Sequence, residues 1–223
     1  MWGVLGLLLL AGCMTFDDAR EEEAMAVRYL ALGDSYTIGE SVAEAERWPV
    51  QLAAQLRNVG YEVEEPTIVA RTGWTTTELD EALDAVRLAG PYHIVSLLIG
   101  VNNQYRGQSI DDYRITFREL LRQSIGFADG DTSRVFVVSI PDYGNTPFGE
   151  SDAARIGREL DQFNAVNLEE TQNLGVAYVN ITDISRQERT DWVASDGLHP
   201  SGAQYAAWVE AIEPVVLNLL QMQ

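Results

Sequence analysis

The chain of 223 residues contains no lysine, and all 15 of its basic residues are arginine. Without lysine there is no Schiff-base nucleophile and no lysine of a phosphate-binding Walker loop. The formal net charge is −19. Because nucleic-acid binding requires basic side chains that neutralise phosphates, this charge argues against a nucleic-acid partner.

Cysteine and histidine are almost absent. Cys13 is the only cysteine, so the chain can form no internal disulfide, and the region that follows it has no cysteine nucleophile. His93 and His199 are the only histidines, which limits the choice of a general base that works near neutral pH. No motif calls for a metal, and we expect neither a metal nor another cofactor.

The only apolar run at the N-terminus is short. It covers residues 4–11, far below the ~20 residues that span a bilayer. It ends in Leu10-Ala11-Gly12-Cys13, which resembles the lipobox of bacterial lipoproteins, where the cysteine is lipidated and becomes the first residue. This predicts a signal peptide over residues 1–12, a charged tether over 13–26, and an extracytoplasmic protein anchored by Cys13 to a membrane of the bacterial cell envelope. An apolar tail with an accidental cysteine is the alternative.

From residue 27 onward, strand-like and helix-like segments alternate. Short runs that are apolar or rich in β-branched residues are typical of strands buried on both faces. Such runs occur at Tyr29–Leu32, Thr67–Ala70, His93–Ile99, Val135–Ile140 and Val176–Ile181. Helices are predicted at Trp48–Val59, Thr76–Leu88, Ile110–Phe127, Asp152–Leu174 and Gly202–Leu220. The alternation predicts one domain over residues 27–223: a flavodoxin-like three-layer α/β/α sandwich around a five-stranded parallel sheet.

Polar residues or glycine follow the first four predicted strands. In chain order they are Ser35, Gly73, Asn102 and Asp142. Ligands of such sheets bind outside the carboxyl ends of the strands, so we expect these four residues at one rim. The loops of that rim also contain side chains that could line an acyl or alcohol pocket, namely Trp74, Tyr105, Arg106, Tyr143 and Phe148.

Asp196 and His199 lie three residues apart near the end of the chain. A serine hydroxyl becomes a nucleophile when an imidazole takes its proton, and the imidazole needs an acceptor that fixes its tautomer. Ser35, His199 and Asp196 are therefore candidates for acyl transfer. His93 is the other possible base, but it begins a predicted strand at the end opposite to the rim. The alternative acids are Asp34, Asp142 and Asp191.

Four short motifs, in this order, resemble the blocks of the SGNH hydrolases, also called the GDSL lipase/esterase superfamily. They are Gly33-Asp34-Ser35, Gly73 in Arg71-Thr72-Gly73-Trp74, Gly100-Val101-Asn102-Asn103, and Asp196-x-x-His199-Pro200. Each motif is weak by itself, and a serine in the position of Ser35, taken alone, is more often a turn or helix N-cap residue than a nucleophile. Together they extend over essentially all of residues 27–223. Asn103 stands where the family commonly has aspartate, which affects only the hydrogen bonds that brace this loop.

The resemblance implies a role for each residue. Ser35 would be the nucleophile, His199 the general base and Asp196 the acceptor that orients the base. The N–H groups of Ser35 and Gly73 and the side-chain amide of Asn102 would form the oxyanion hole. The implied activity is serine-dependent hydrolysis of small acyl esters through an acyl-serine intermediate.

The resemblance does not determine the physiological substrate. A carbohydrate O-acetylesterase, a lysophospholipase and a thioesterase are the enzymatic alternatives, because family members perform all three reactions on nearly one scaffold. A binding lipoprotein on an inactive hydrolase fold is the non-enzymatic alternative. The expected partners are a small-molecule ester and, through the lipid anchor, a membrane.

Overall fold

The structure is a computed structural model that describes residues 26–222. The predicted signal peptide, Cys13 and nearly all of the predicted tether lie outside the described residues. Five parallel strands form one sheet in the order β2-β1-β3-β4-β5. Their bounds are β1 Tyr29–Gly33, β2 Thr67–Ala70, β3 Ile94–Leu98, β4 Val135–Val138 and β5 Ala177–Val179. The prediction of a five-stranded parallel sheet is confirmed.

The three central strands are buried along their whole length. Parallel strands covered by helices on both faces read as continuous apolar runs, which is why β1, β3 and β4 were recognisable. Gly33 at the end of β1 pairs with Ala70 of β2 and with Leu98 of β3. The carboxyl ends of these three strands are therefore level, and the residues that follow them meet at one edge of the sheet.

Eight α-helices are assigned within residues 26–222. They are α1 Ser35–Ile38, α2 Trp48–Asn58, α3 Thr76–Ala85, α4 Val101–Tyr105, α5 Ile110–Phe127, α6 Ala153–Asn173, α7 Thr182–Ser185 and α8 Gly202–Gln221. The five long helices lie where the sequence predicts them, and α1, α4 and α7 are additional single turns. Thr75 caps α3 by accepting the N–H of Glu78, and Ser201 caps α8 by accepting the N–H of Gln204.

Two groups of helices cover the sheet. α2 packs against α8, while α5 packs against both α3 and α6. This arrangement gives the predicted three-layer sandwich, and the large side chains of Trp48 and Trp208 are completely buried in it. No helix between residues 26 and 222 is both long and apolar enough to cross a membrane.

Candidate active site

Ser35 lies in a sharp turn between β1 and α1. The strand ends at Gly33, and Asp34 caps α1 because its Oδ1 accepts the N–H of Tyr36 at 3.0 Å. Ser35 is the first residue of the helix and is only 4 % exposed. Within residues 26–222 its hydroxyl makes no hydrogen bond. The turn therefore holds a serine whose oxygen is free to react.

Ser35 lines a cavity of about 190 Å³ at the carboxyl edge of the sheet. Gly73, Asn102 and His199 line the same cavity. Four of the residues predicted from separate segments of the chain are thus brought together. The remaining lining residues are Tyr36, Thr72, Val101, Tyr105, Tyr143, Phe148 and Leu198.

The imidazole of His199 is oriented by Asp196. Nδ1 of His199 lies 2.6 Å from Oδ2 of Asp196, and Oδ1 of Asp196 accepts the backbone N–H of His199 at 3.0 Å. Because an ionised carboxylate can only accept, Nδ1 carries the proton in this pair. Nε2 is then left as the unprotonated nitrogen of the neutral ring, which is the form that a general base requires.

The loop between α7 and α8 explains why these two residues face each other. The N–H of Ala194 donates to the carbonyl of His199 at 2.7 Å, and the N–H of Gly197 donates to the carbonyl of Ala194 at 3.0 Å. Gly197 has a φ of +75°, a left-handed conformation that glycine adopts without steric cost. The chain therefore reverses between Asp196 and His199, and both side chains point to the same side.

Asp196 accepts a further hydrogen bond that the sequence analysis did not identify. The hydroxyl of Ser41, which follows α1, donates to Oδ2 of Asp196 at 2.6 Å. Partial burial raises the pKa of Asp196, but hydrogen bonds from Ser41, His199 and the N–H of Leu198 outweigh it and lower the pKa well below its ordinary value. Asp196 therefore stays ionised at every pH at which esterases are assayed. Ser41 itself has a φ of +65°, so this contact is made from a strained backbone.

Three donors surround the cavity near Ser35. Neither the backbone N–H of Ser35 nor that of Gly73 donates to another group within residues 26–222. The side-chain amide of Asn102 donates one hydrogen to the carbonyl of Trp74 at 2.9 Å. Because an amide nitrogen carries two hydrogens, this bond orients the group and leaves the second hydrogen available. These three groups are therefore the candidate donors of an oxyanion hole.

The backbone conformation at position 73 requires a glycine. Its φ of +87° lies in the left-handed region that favours glycine. The guanidinium of Arg106 donates to the carbonyl of Gly73 at 2.5 Å and to Glu78 at 3.2 Å. Glu78 in turn accepts the N–H of Thr75 at 2.8 Å. Arg106 therefore ties the Gly73 loop to the start of α3, rather than lining the cavity as one interpretation of the sequence suggested.

Asn103 braces the loop although it replaces the aspartate common in the family. Its Oδ1 accepts the N–H of Thr76 at 3.1 Å, and its Nδ2 donates to Thr76 Oγ1 and to Gln108 Oε1, both at 2.8 Å. An ionised aspartate could not donate to Gln108. The Asn103 amide thus both accepts and donates hydrogen bonds. The loop is therefore braced although asparagine stands in place of aspartate.

The alternative base and acids lie away from the cavity. His93 stands at the amino end of β3, where its Nδ1 accepts the N–H of Arg28 at 3.0 Å. Burial, together with Arg134 and Arg28, lowers the pKa of His93 below its ordinary value. Asp142 is paired with Arg186 at 2.9 Å and Asp191 with Arg189 at 3.1 Å. None of these groups contacts His199.

Asp34 is the remaining alternative, and it is completely buried beside Ser35. Burial raises its pKa to about 7, although the N–H of Tyr36 acts in the opposite direction. Its Oδ2 has no hydrogen-bond partner within residues 26–222. Asp34 therefore supports the turn that carries the serine, and Asp196 is the carboxylate in contact with the histidine.

Aromatic side chains form part of the wall of the cavity. Tyr105, Tyr143 and Phe148 form a cluster with ring centroids 6.1–6.3 Å apart, and all three line the cavity. Trp74, the other aromatic residue singled out in the rim loops, does not line it. The ring of Tyr36 packs edge-on against His199 with centroids 5.8 Å apart. The histidine is thus held by an apolar contact as well as by Asp196.

Comparison with known proteins gives a consistent picture. The model of the GDSL-like Lipase/Acylhydrolase family matches residues 31–207, which include every residue described in this cavity. No curated protein sequence matches the chain significantly.

Solved structures resemble the fold over most of its length. A structure of TesA has a TM-score of 0.69 and 17% identity, covering 86% of this chain and 99% of that one. The psychrotrophic esterase EstA from Pseudoalteromonas sp. has a TM-score of 0.67 and 17% identity, covering 87% and 98%. A variant of the acetyl xylan esterase Axe2 from Geobacillus stearothermophilus has a TM-score of 0.65 and 20% identity, covering 85% and 94%. At these identities the likeness establishes the shared fold alone.

Proposed function

The chain belongs to the GDSL-like Lipase/Acylhydrolase family and is an ester hydrolase, and we propose that it works through an acyl-serine intermediate on Ser35. One observation carries this proposal. Ser35, His199 and the candidate oxyanion donors of Gly73 and Asn102 all face one small cavity. A binding protein on an inactive hydrolase fold would need no such set together.

In the first half of the reaction the ester carbonyl lies between Ser35 and the oxyanion donors. Nε2 of His199 takes the hydroxyl proton while Oγ of Ser35 attacks the carbonyl carbon. The negative charge that develops on the carbonyl oxygen is stabilised by the N–H groups of Ser35 and Gly73 and by the amide of Asn102. The C–O bond to the alcohol then breaks, and the imidazolium of His199 returns the proton to the leaving oxygen.

In the second half a water molecule repeats these steps. His199 takes one proton of the water, and the oxygen attacks the acyl-serine carbonyl at the same oxyanion site. Collapse of the intermediate releases the carboxylic acid and returns the proton to Ser35. Asp196 stays ionised throughout and stabilises the imidazolium that forms twice per turnover.

The size of the cavity favours short acyl groups. Its volume is about 190 Å³, and its apolar lining consists of Val101, Leu198 and the rings of Tyr36, Tyr105, Tyr143 and Phe148. A long alkyl chain would have to displace these side chains or extend out of the cavity into water. We therefore infer that acetyl and similar short esters are better substrates than long-chain esters.

A direct test combines labelling with a substrate series. A fluorophosphonate probe should form one adduct per chain, and peptide mass spectrometry should place that adduct on Ser35. A series of p-nitrophenyl esters should show kcat/KM falling as the acyl chain lengthens beyond a few carbons. An adduct on another residue would reject the mechanism, whereas a maximum at long chains would reject only the inferred acyl preference.

The contribution of the Asn102 side-chain amide to oxyanion stabilisation can be tested separately. Asn102→Ala should lower kcat by about 10²–10³, or roughly 3–4 kcal/mol, with little change in KM, because the amide interacts with a charge that exists only in the transition state. Steady-state kinetics with a short p-nitrophenyl ester would measure this.

Asn103→Ala is the matched control for this substitution. Asn103 is 1 % exposed and donates or accepts three hydrogen bonds, so its loss should lower the free energy of unfolding by about 1–3 kcal/mol. Its effect on kcat should be much smaller than that of Asn102→Ala. Equal losses of kcat at both positions in folded proteins would mean that Asn102 has no special electrostatic role.

We further propose that the enzyme is anchored outside the cytoplasm through Cys13, on the evidence of the lipobox-like sequence that precedes it. A single acyl chain binds a membrane only reversibly, so stable anchoring takes more than one chain. A lipidated cysteine of a bacterial lipoprotein carries several. The native protein should therefore fractionate with membranes, and mass spectrometry of its N-terminal peptide should find a lipidated Cys13. Cys13→Ser should leave an unprocessed precursor or a soluble protein of full activity. A wild-type protein in the cytosol with Met1 intact would contradict the anchor.

A further inference from the structure

The turn that follows α1 connects the segment of Ser35 to the loop of Asp196. It consists of residues 39–41, and we call it the 39–41 turn. The N–H of Glu40 donates to the carbonyl of Ser35 at 3.0 Å, so the turn is tied directly to the candidate nucleophile. From this position the hydroxyl of Ser41 donates to the carboxylate of Asp196 at 2.6 Å.

The 39–41 turn is held in place from two sides. Gly39 ends α1 with a φ of +69°, the left-handed conformation that is common directly after a helix. The side chain of Glu40 accepts a hydrogen bond from the hydroxyl of Thr72, the residue before Gly73. The turn is therefore fixed both to the helix of the nucleophile and to the loop that carries a candidate oxyanion donor. The hydroxyl of Ser41 is thus a donor in a defined position.

The carboxylate of Asp196 has all of its acceptor positions filled. Oδ1 accepts the N–H of Leu198 at 2.9 Å and that of His199 at 3.0 Å. Oδ2 accepts the hydroxyl of Ser41 and the Nδ1–H of His199, both at 2.6 Å. Because a carboxylate offers about four acceptor positions, it cannot rotate here without breaking a hydrogen bond. Among these donors, only Ser41 lies outside the loop that carries the histidine.

The bond from Ser41 matters because the side chain of Asp196 is 29 % exposed. Without the hydroxyl, water would fill the vacant position on Oδ2, and a mobile water molecule does not fix the orientation of a carboxylate. Nδ1 of His199 would then lose its fixed acceptor for part of the time. An imidazole that is turned away, or that has the wrong tautomer, cannot take the proton of Ser35.

The backbone at Ser41 points to a use for its hydroxyl. Its φ is +65°, a conformation that glycine adopts without steric cost and serine does not. The residue is exposed, so burial does not explain the choice of serine. Strained backbone of this kind clusters at active sites. Ser41 is not among the described residues that line the cavity of Ser35, so its route to the reaction is through Asp196.

We propose that Ser41 is a positioning residue of the esterase. Its hydroxyl fixes the carboxylate of Asp196, and His199 thereby keeps the orientation in which it takes the proton of Ser35. This inference rests on the proposed serine mechanism and adds one residue to it. Every proton transfer of the reaction needs an oriented base, whereas the cavity that binds the ester does not include Ser41. The effect of Ser41 should therefore appear in kcat and not in KM.

Ser41→Gly separates this role from support of the fold. Glycine removes the hydroxyl but suits the left-handed backbone, so the melting temperature should stay close to that of the wild type. For a short p-nitrophenyl ester, kcat should nevertheless fall about five- to fiftyfold, the size expected for one lost hydrogen bond to a charged group, while KM changes by less than about twofold. Ser41→Ala, which keeps Cβ, should show the same loss of kcat.

Ser133→Ala is the matched control for these variants. The hydroxyl of Ser133 also donates to a carboxylate at 2.6 Å, that of Asp131, but it lies directly before β4, at the end of the sheet opposite to the cavity. Its kcat should equal that of the wild type. An equal loss of kcat in Ser133→Ala and Ser41→Ala would overturn the proposal, and so would a loss that occurs in Ser41→Ala but not in Ser41→Gly.

A double variant tests whether Ser41 acts through Asp196. Asp196→Ala should lower kcat by about four orders of magnitude, the scale observed for the aspartate of a triad. Adding Ser41→Gly to it should cause no further loss, because the group that Ser41 positions is already gone. A further five- to fiftyfold loss in the double variant would show that Ser41 acts by another route and would overturn the proposal.

Failure of the serine mechanism would look different from failure of this inference. If the wild-type enzyme hydrolyses no p-nitrophenyl acetate and a fluorophosphonate does not label Ser35, the mechanism itself fails. If the wild type is labelled and active while Ser41→Gly and Ser41→Ala keep wild-type kcat, only the role of Ser41 is refuted.

Discussion

Ser35→Ala is expected to lower kcat for a short p-nitrophenyl ester by about six orders of magnitude, the scale observed when a triad nucleophile is removed. The reason is that Ser35 is the only serine among the described residues that line this cavity, and the hydroxyl of Thr72, which also lines it, donates to Glu40. Residual hydrolysis would come from the oxyanion donors acting on a water molecule. Stopped-flow and long-time-course assays together cover the required range of rates.

The fold of Ser35→Ala should survive. The hydroxyl of Ser35 makes no hydrogen bond within residues 26–222, so its removal leaves no buried group unpaired. The melting temperature should therefore stay close to that of the wild type. Ser124→Ala is a suitable control, because this serine is buried in α5 and bonds only the carbonyl of Leu120 in its own helix, at 2.8 Å. A folded Ser35→Ala protein that still hydrolyses esters at a substantial rate would refute the mechanism.

The sheet and its long helices could be predicted because each leaves a local pattern. β1, β3 and β4 are continuous apolar runs since helices cover both faces of the sheet. α3 and α8 begin where Thr75 and Ser201 supply caps. Apolar runs and helix caps involve residues that are close together in the sequence, so both can be recognised from the sequence alone.

The contacts that complete the site could not be predicted in the same way. Ser41 reaches Asp196 across 155 positions of sequence, and Arg106 reaches Gly73 across 33. Nothing in the residues around Ser41 or Arg106 indicates such partners, because the contacts form only when separate loops meet at the sheet edge.

The two histidines should respond very differently to substitution. His199→Ala should lower kcat about as severely as Ser35→Ala, and the double variant should be no worse than either single one, because the two residues act as a unit. His93→Gln should keep most of the activity. His93 stands at the amino end of β3, whereas the cavity lies at the carboxyl end, and its Nδ1 accepts the N–H of Arg28 at 3.0 Å.

Measurements of melting temperature distinguish a loss of catalysis from a loss of folding in these two variants. His93 is half-buried in a contact between β1 and β3, so His93→Gln should lower the melting temperature modestly, although the glutamine oxygen can still accept a hydrogen bond. In His199→Ala, Asp196 keeps its bonds from Ser41 and from the N–H of Leu198, and the loop should hold its shape. A folded His93→Gln protein without activity would show that the wrong histidine has been assigned as the base. A folded His199→Ala protein with wild-type kcat would remove the base from the mechanism, since no other histidine lies within reach of Ser35.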